Sequence, residues 1–392
     1  MPQDISAVPA ANTANIVGAG LSGAVIARVL AEAGHKVTVF ESRDHIGGNC
    51  HTERDAETGV MLHRYGPHIF HTDSEDVWQF ATRFANFKRF HHKVRATSRG
   101  KVYPLPVTLA TINQFFELAL RPDEARAFVA GKADSTINAP RSFEEQAQSM
   151  IGNELYEAFF KGYTQKQWGR APSELPASIL KRLPLRFTYE DSYFNHKYQA
   201  LPENGYTDWI AAILDHPDIT VRLKQPFTNQ QAQDGEHVFW SGPLDGYFGY
   251  SQGRLAYRSL RFENFTGEGD YQGCPVMNFC DADKPYTRVT EHKHFAPWES
   301  HDKTVYSVEY PFECGPEDTP YYPVRLVEDK SLLQHYVSQA DQTKGVTFVG
   351  RLGTYRYLDM DVCIAEALQT AAQFLEAQST QAPMPAFVHP PL

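Results

Sequence analysis

Hydrophobic and polar positions follow three different registers along this chain, and the changes of register divide it. Near the start an apolar run, Asn15-Ile16-Val17, leads into Gly18-Ala19-Gly20-Leu21-Ser22-Gly23. The next residues set Leu21, Val25, Val29 and Ala33 on one stripe at helical spacing, with Gly34 as a stop. A second apolar strand, Lys36 to Phe40, ends on Glu41. Strand, turn, helix and strand in this order predict a nucleotide-binding β-α-β unit.

From about 75 to 180 apolar residues recur every three or four positions, in Val77 to Phe80, Leu109 to Leu120, Pro122 to Ala130, Phe143 to Met150 and Asn153 to Lys161. These predict helices, interrupted by a strand-like insert over Lys93 to Pro106. Residues 181–345 hold β-rich segments, among them Tyr257 to Phe262, Val276 to Phe279 and Thr304 to Tyr310, between clusters of Gly, Pro and Asp. The tail then returns to the first pattern. Val346 to Gly350 reads as a buried strand and Asp359 to Ala377 as a long amphipathic helix, so a distant C-terminal piece completes the first domain.

Composition narrows the function classes. At 392 residues the chain has room for two or three domains, and 42% apolar with 21% charged residues excludes an acidic disordered chain. No window approaches 18 consecutive apolar residues, and the N-terminus lacks the basic start and apolar core of a signal peptide. A cytoplasmic protein with no membrane insertion is expected. The net charge of -10, without long runs of either sign, argues against nucleic acid as a partner. Any anionic ligand must then meet locally placed arginines. Five scattered cysteines, Cys50, Cys274, Cys280, Cys314 and Cys363, form no C-x-x-C pair and read as reduced thiols.

The G-x-G-x-x-G turn has a physical logic: Gly18 permits the bend, Gly20 lets backbone approach a pyrophosphate, and Gly23 lets the helix pack on the strand. The helix N-terminus offers free N–H groups to the anion, and Glu41 is suited to ribose hydroxyls. A second glycine pair in Ile46-Gly47-Gly48-Asn49 brings another loop against the dinucleotide and favours FAD over NAD. In Gly350-Arg351-Leu352-Gly353 followed by Leu358-Asp359-Met360, a further helix N-terminus returns to the cofactor, where it suits an anionic reduced flavin.

Sixteen histidines show no zinc spacing, so no metal is expected; His68, in the turn Gly66-Pro67-His68, is placed beside the flavin and most others as partly exposed polar contacts. The aromatic stretch Phe159 to Gly169 reads as the end of a helix opening into a loop bracketed by Gly162, Gly169 and Pro172. It suits either a lid that stacks on a planar base or an aromatic domain interface. Tyr193, Tyr321, Tyr322, Tyr355 and Tyr357 sit in turn-like contexts, where a phenol binds phosphate without adding charge.

Taken together, the strings IVGAGLSGAVIA, HIGGN, YGPHIFHT, KGYTQKQWG, LPASILKRLPLRF, PYTRVTEHKHF, PYYPV and GRLGTYRYLDMD resemble bacterial UDP-galactopyranose mutases. These FAD enzymes interconvert the pyranose and furanose forms of UDP-galactose. The resemblance runs from residue 16 to about 375; the leader, the stretch 225–237 and the Pro-rich tail 383–391 depart from it without touching a family motif.

The resemblance implies an α/β fold with a Rossmann-like FAD-binding domain, an inserted helical domain and a twisted antiparallel β-sheet domain. Residues 1–75, 203–245 and 343–392 would form the first, 76–180 the second with a mobile substrate loop, and 181–202 with 246–342 the third. It puts FAD contacts on Gly18, Gly20, Gly23, Glu41, Gly47, Gly48, Asn49, Arg351, Asp359 and Met360, with His68 beside the isoalloxazine. The uridine site would use Phe159, Tyr163, Thr164 and Trp168. Arg182 and Arg288 would grip the diphosphate, Tyr193, Tyr322 and Tyr357 would bind its phosphates, and Asn278 would lie nearby.

Arg182, Arg288 and His68 are the expected catalytic residues. Active in its reduced form, FAD would act as the covalent nucleophile, N5 attacking the anomeric carbon. Galactofuranose for cell-surface glycans and a homodimer are implied as well. Two other readings fit the dinucleotide motifs: a flavin-dependent oxidoreductase of the amine-oxidase-like class, which would consume an electron acceptor, and a non-catalytic nucleotide-sugar sensor.

Overall fold

The computed structural model describes residues 12–182, 185–228, 236–324 and 329–392, with the side chains of Ser178, Lys181, Arg182 and Asp329 outside the described residues. Five parallel strands make the nucleotide-binding sheet, in the order Ile219–Arg222, Lys36–Phe40, Thr13–Val17, His237–Trp240 and Val346–Phe348. Thr13–Val17 is the central strand, Ile16 pairing with Val39 on one side and Phe239 on the other, and all three are buried.

The helix Leu21–Glu32 follows as expected, but its buried surface is wider than the single stripe. Leu21 to Ala27, Leu30 and Ala31 are buried, whereas Val29 is half-buried and Ala33 exposed. The cause is a second cover. The C-terminal helix Met360–Thr380 packs against it through Ile364, Ala367, Ala371 and Phe374, so small residues are needed on two sides. The glycine turn bears out its steric logic: Gly18 has φ +101°, and a Cβ on Gly23 would lie 2.1 Å from the Gly18 carbonyl oxygen.

The middle zone is helical over Leu109–Phe116, Pro122–Lys132 and Phe143–Leu155. The first of these stops short of Leu120 because the Asn113 side chain bonds both the N–H and the carbonyl of Leu120, folding the chain back. Gly152, at φ +76° and ψ 169°, breaks the helical run between the two periodic segments. Beyond it the aromatic stretch differs from expectation. Tyr156–Lys161 is π-helical and Gly162–Trp168 continues as α-helix, so the loop opens only at Gly169, φ +66°. Side-chain bonds between this helix and the large sheet with its loops explain the extension. Lys166 Nζ donates to the carbonyls of Phe279, Asp281 and Tyr286, and Arg258 donates to those of Lys166 and Gln167.

The strand-like insert is a hairpin, Val94–Ser98 with Lys101–Leu105. It joins a seven-stranded sheet by pairing parallel to Val276–Phe279. The remaining pairings of that sheet are antiparallel, dominated by Tyr257–Glu268 against Lys303–Glu313. The fold is α/β and Rossmann-like, with the helical layer tied to the large sheet through its own hairpin. Among the described residues, no helix is long and apolar enough to cross a membrane.

The histidines need a correction. His35, His51, His63, His71, His92, His237 and His292 are buried rather than partly exposed. Ring stacking accounts for it: His71 stacks on Phe194 at 3.8 Å and on His196 at 4.6 Å, and His63 packs against Phe295 at 5.2 Å. A neutral imidazole with an aromatic face above it behaves as a core residue.

Candidate active site

Where the first sheet meets the helix Leu21–Glu32, a cavity of about 470 Å³ opens. Gly18, Gly20, Glu41, Gly47, Gly48, Asn49, His68, Arg351 and Met360 line it together, drawn from four separated parts of the chain. Gly23 lies beneath the turn and not on the wall; its role is the close packing described above. Asp359 is the N-cap of the helix Met360–Thr380, makes no side-chain cap bond and is likewise off the wall.

The lining suits a dinucleotide. A Cβ on Gly48 would come within 3.2 Å of the Gly20 Cα, so the two glycine loops form a cradle in which any side chain would intrude. Glu41 is buried and orders the wall, its carboxylate accepting the N–H groups of Ala19 and Arg43, each at 2.9 Å. Arg43 and Ser241, which sequence reasoning missed, also line the cavity. Arg43 lies over the Tyr65 ring at 4.7 Å, donates to Asn49 Oδ1 at 3.0 Å, and leaves its buried Nη1 without a partner among the described residues. An unpartnered guanidinium nitrogen beside a glycine cradle favours an anionic occupant. Arg43 follows Glu41 by two residues, and that spacing is the one available signal.

A second cluster adjoins this cavity through His68 and Arg351. Arg288 Nη2 donates to the Tyr163 hydroxyl at 3.1 Å, and Arg288 Nη1 stands 3.7 Å from the buried carboxylate of Glu309. Burial opposes the Arg288 charge, yet Glu309 and the nearby phenols outweigh it and hold its pKa well above the ordinary value. Tyr322 and Tyr357 face each other with ring centroids 5.6 Å apart, and the Arg351 guanidinium sits 4.8 Å over the Tyr357 ring. Burial pushes the Tyr193 phenol up to about 12 and raises Tyr163 and Tyr322 as well, so all three stay protonated donors. Tyr193 also feels the charges of Arg288 and Asp359.

His68 completes the junction. Its Nδ1 is 3.0 Å from the Gly66 carbonyl, and burial, reinforced by Arg351 and Arg288, lowers its pKa to about 4. It is therefore neutral at physiological pH and adds no third cation. Asn278 faces Arg288 across the hairpin register, its buried Oδ1 without a partner among the described residues.

The four residues expected at the base are less uniform. Tyr163 belongs to the Arg288 cluster, and Thr164, next to it, is buried. Phe159 instead packs edge-on against Tyr103 at 5.1 Å inside the helical core. Trp168 packs beside the cluster of Phe143, Tyr156, Leu175 and Leu180. The side chain of Arg182 lies outside the described residues.

Comparisons with known proteins give this geometry a family. The UDP-galactopyranose mutase family model matches residues 158–357, and an NAD(P)-binding Rossmann-like domain matches residues 16–84. A probable UDP-galactopyranose mutase of Klebsiella pneumoniae is 58% identical over 375 residues, 96% of this chain and 98% of that protein. A dTDP-fucopyranose mutase of Escherichia coli is 50% identical, covering 93% of this chain and 99% of its own length. A crystal structure of reduced UDP-galactopyranose mutase shares the fold, with a TM-score of 0.72 at 16% identity over 93% of this chain and 95% of that one. The cofactor that goes with the glycine cradle is thus FAD. This chain is an isomerase belonging to the UDP-galactopyranose mutase family.

Proposed function

We propose that this protein interconverts UDP-galactopyranose and UDP-galactofuranose and so supplies galactofuranose for cell-surface glycans, acting in the cytoplasm as a homodimer. One observation carries the reading: a guanidinium held charged in a buried site, Arg288, stands among protonated phenols beside the cofactor cavity. Ring contraction breaks the anomeric C–O bond to UDP, opens the sugar, recloses it through another hydroxyl and restores the bond to UDP. No net oxidation occurs. When bound and reduced, FAD would supply the nucleophile, N5, for the anomeric carbon.

The chain's own residues do the rest by electrostatics. Arg288 offers charged donors to the departing diphosphate and keeps it near for the return step. Tyr193, Tyr322 and Tyr357 supply neutral donors to phosphate oxygens, and Arg182 is assigned as the second cation. Since a diphosphate leaves readily, no acid is required of His68; as a neutral imidazole it bonds without competing for the negative charge. We assign the uridine to the Tyr163 and Thr164 end of the helix Gly162–Trp168, with Trp168 at its rim and Phe159 supporting it from behind.

The relative acting on dTDP-fucopyranose supports a second reading, in which the sugar lacks an oxygen and the base is thymine. One experiment separates these readings. Dithionite-reduced protein is given UDP-galactofuranose or dTDP-fucofuranose, and product formation and oxidant consumption are followed. UDP-galactopyranose formed without stoichiometric oxidant is the expected result. Turnover of the dTDP-sugar alone would replace the substrate, and oxidant consumed mole for mole would replace the reaction class.

A further inference from the structure

We propose that His292 is a positioning residue for the reaction, holding His68 at the cofactor cavity through the backbone of His63. The inference rests on FAD as the occupant of that cavity. It starts from an unusual strand pair. Thr52–Arg54 and Met61–His63 pair antiparallel, and ladder bonds at Asp55/Val60 and His51/Arg64 fix which residue pairs are bonded. By the alternation of such ladders, Thr52 and His63 form a pair that exchanges no bonds, so the His63 N–H points out of the ladder.

That N–H, in a buried residue, donates to His292 Nδ1 at 3.3 Å. The bond fixes the tautomer, because a nitrogen that accepts cannot carry the proton. His292 therefore bears its proton on Nε2, which lies 2.6 Å from Ser307 Oγ, and Ser307 in turn donates to Asn264 Oδ1 at 2.7 Å. His292 is completely buried, and Ser307 nearly so. The result is a directional chain from two strands of the large sheet to one backbone N–H of a different element.

What that N–H controls is the approach to His68. The His63 carbonyl accepts Gly66 N–H at 3.1 Å, closing the turn, and the Gly66 carbonyl holds His68 Nδ1. Gly66, at φ +88°, packs so closely that a Cβ would meet the Phe262 ring at 3.2 Å. Losing the His292 acceptor strands a buried donor at the root of this turn, and the turn can regain a partner only by moving. His68 would move with it.

The two ring nitrogens can be tested separately. In His292→Asn the amide oxygen takes the place of Nδ1 and keeps the His63 bond; His292→Gln reaches Ser307 and loses His63. Each variant is purified with FAD, and its visible flavin spectrum, FAD content, melting temperature and steady-state constants for UDP-galactofuranose are measured. We expect both to melt lower than wild type. His292→Asn should keep the flavin spectrum and a kcat within about twofold, whereas His292→Gln should shift the spectrum and lower kcat about tenfold with KM little changed.

In a His68→Ala background, His292→Gln should add no further loss of kcat. Equal behaviour of the Asn and Gln variants, or losses that multiply with His68→Ala, would overturn the proposal while leaving the function intact. Wild-type protein that takes up no FAD would overturn the cofactor assignment and this proposal with it. Should His292→Gln fail to fold, Ser307→Ala serves instead: it leaves the His63 bond in place and is expected to keep the flavin spectrum, and a changed spectrum would count against the proposal.

Discussion

Arg288 shows what a single residue must balance at this site. Its side chain is only a quarter exposed, which disfavours charge, and Glu309 stands 3.7 Å away to compensate. The balance leaves a charged guanidinium edge aimed at Tyr163. Replacing Arg288 by Ala should lower kcat/KM by about a hundredfold, on the order of 3 kcal/mol of transition-state stabilisation, and steady-state kinetics with UDP-galactofuranose will check it. Arg288→Lys should recover only part of this, because a point charge cannot serve Tyr163 and a phosphate oxygen in one plane. Wild-type constants in Arg288→Ala would refute the electrostatic role. At this scale the sequence is informative where a residue's job is steric and local. Gly23 can be assigned from spacing because the atom it packs against, the Gly18 carbonyl oxygen, is close in the chain. The burial of His63, His92 and His292 cannot, since rings that cover them, His292 and Phe295 on His63, Tyr193 and Phe295 on His92, and His63 on His292, come from distant segments.

Among the elements, the helix Gly162–Trp168 is the one most closely coupled to function. It carries Tyr163 and Thr164, and its far end is fastened by Lys166 and Arg258 to backbone carbonyls. Periodicity cannot reveal this, because Arg258 and the carbonyls that Lys166 reaches come from the large sheet and its loops. Composition alone suggests a loop there, as Gly162 and Gly169 are helix breakers in isolation. In place, Gly162 is a contact residue: a Cβ would stand 2.4 Å from the Cys280 carbonyl oxygen. Lys166→Met should release three carbonyls and loosen the helix. The expected outcome is a KM for UDP-galactofuranose raised about tenfold with kcat changed less, since binding of the nucleotide is affected more than the bond-breaking step. A lowered kcat at unchanged KM would contradict that placement of the uridine.

Two properties belong to the molecule as a whole. The first is its response to acid. Burial lowers His92 and His292 to about 3 and His237 to about 4, against an ordinary value of 6.5. Unfolded chains therefore bind more protons than the folded protein between those limits, and stability rises with pH there. The contribution is complete above about 6.5 and is lost as pH falls toward 3, each tenfold difference in proton affinity between the unfolded and folded chain being worth about 1.4 kcal/mol. A melting temperature that falls steadily from pH 7 to pH 4 is expected; a flat profile would show that these imidazoles are not neutral and buried. The second property is charge. With a net -10 overall, the protein repels a nucleotide sugar at long range, so capture depends on the Arg288 and Arg351 cluster. Stopped-flow association that slows with added salt would show a local positive field winning, and acceleration would show the net charge winning. The order of the sheets is only partly legible. The β-α-β unit and the returning C-terminal strand can be read from apolar runs. The hairpin Val94–Leu105 reads locally as a strand pair, but its pairing with Val276–Phe279 depends on a partner far along the chain.

The parallel sheet has a consequence for how the chain is made. Its central strand, Thr13–Val17, is flanked by His237–Trp240, and the sheet is closed by Val346–Phe348, with the helix Met360–Thr380 sealing the face of the first helix. During synthesis the N-terminal half of this core emerges early, with Ala24, Val25 and Ile26 bare of the cover they have in the finished protein. It has to wait for nearly the whole chain to leave the ribosome. Parallel pairing over such separations is slow, and the waiting strands carry open edges. A chain halted before residue 343 thus cannot rest as a smaller version of the enzyme. It would leave the first helix without the cover of Ile364, Ala367, Ala371 and Phe374.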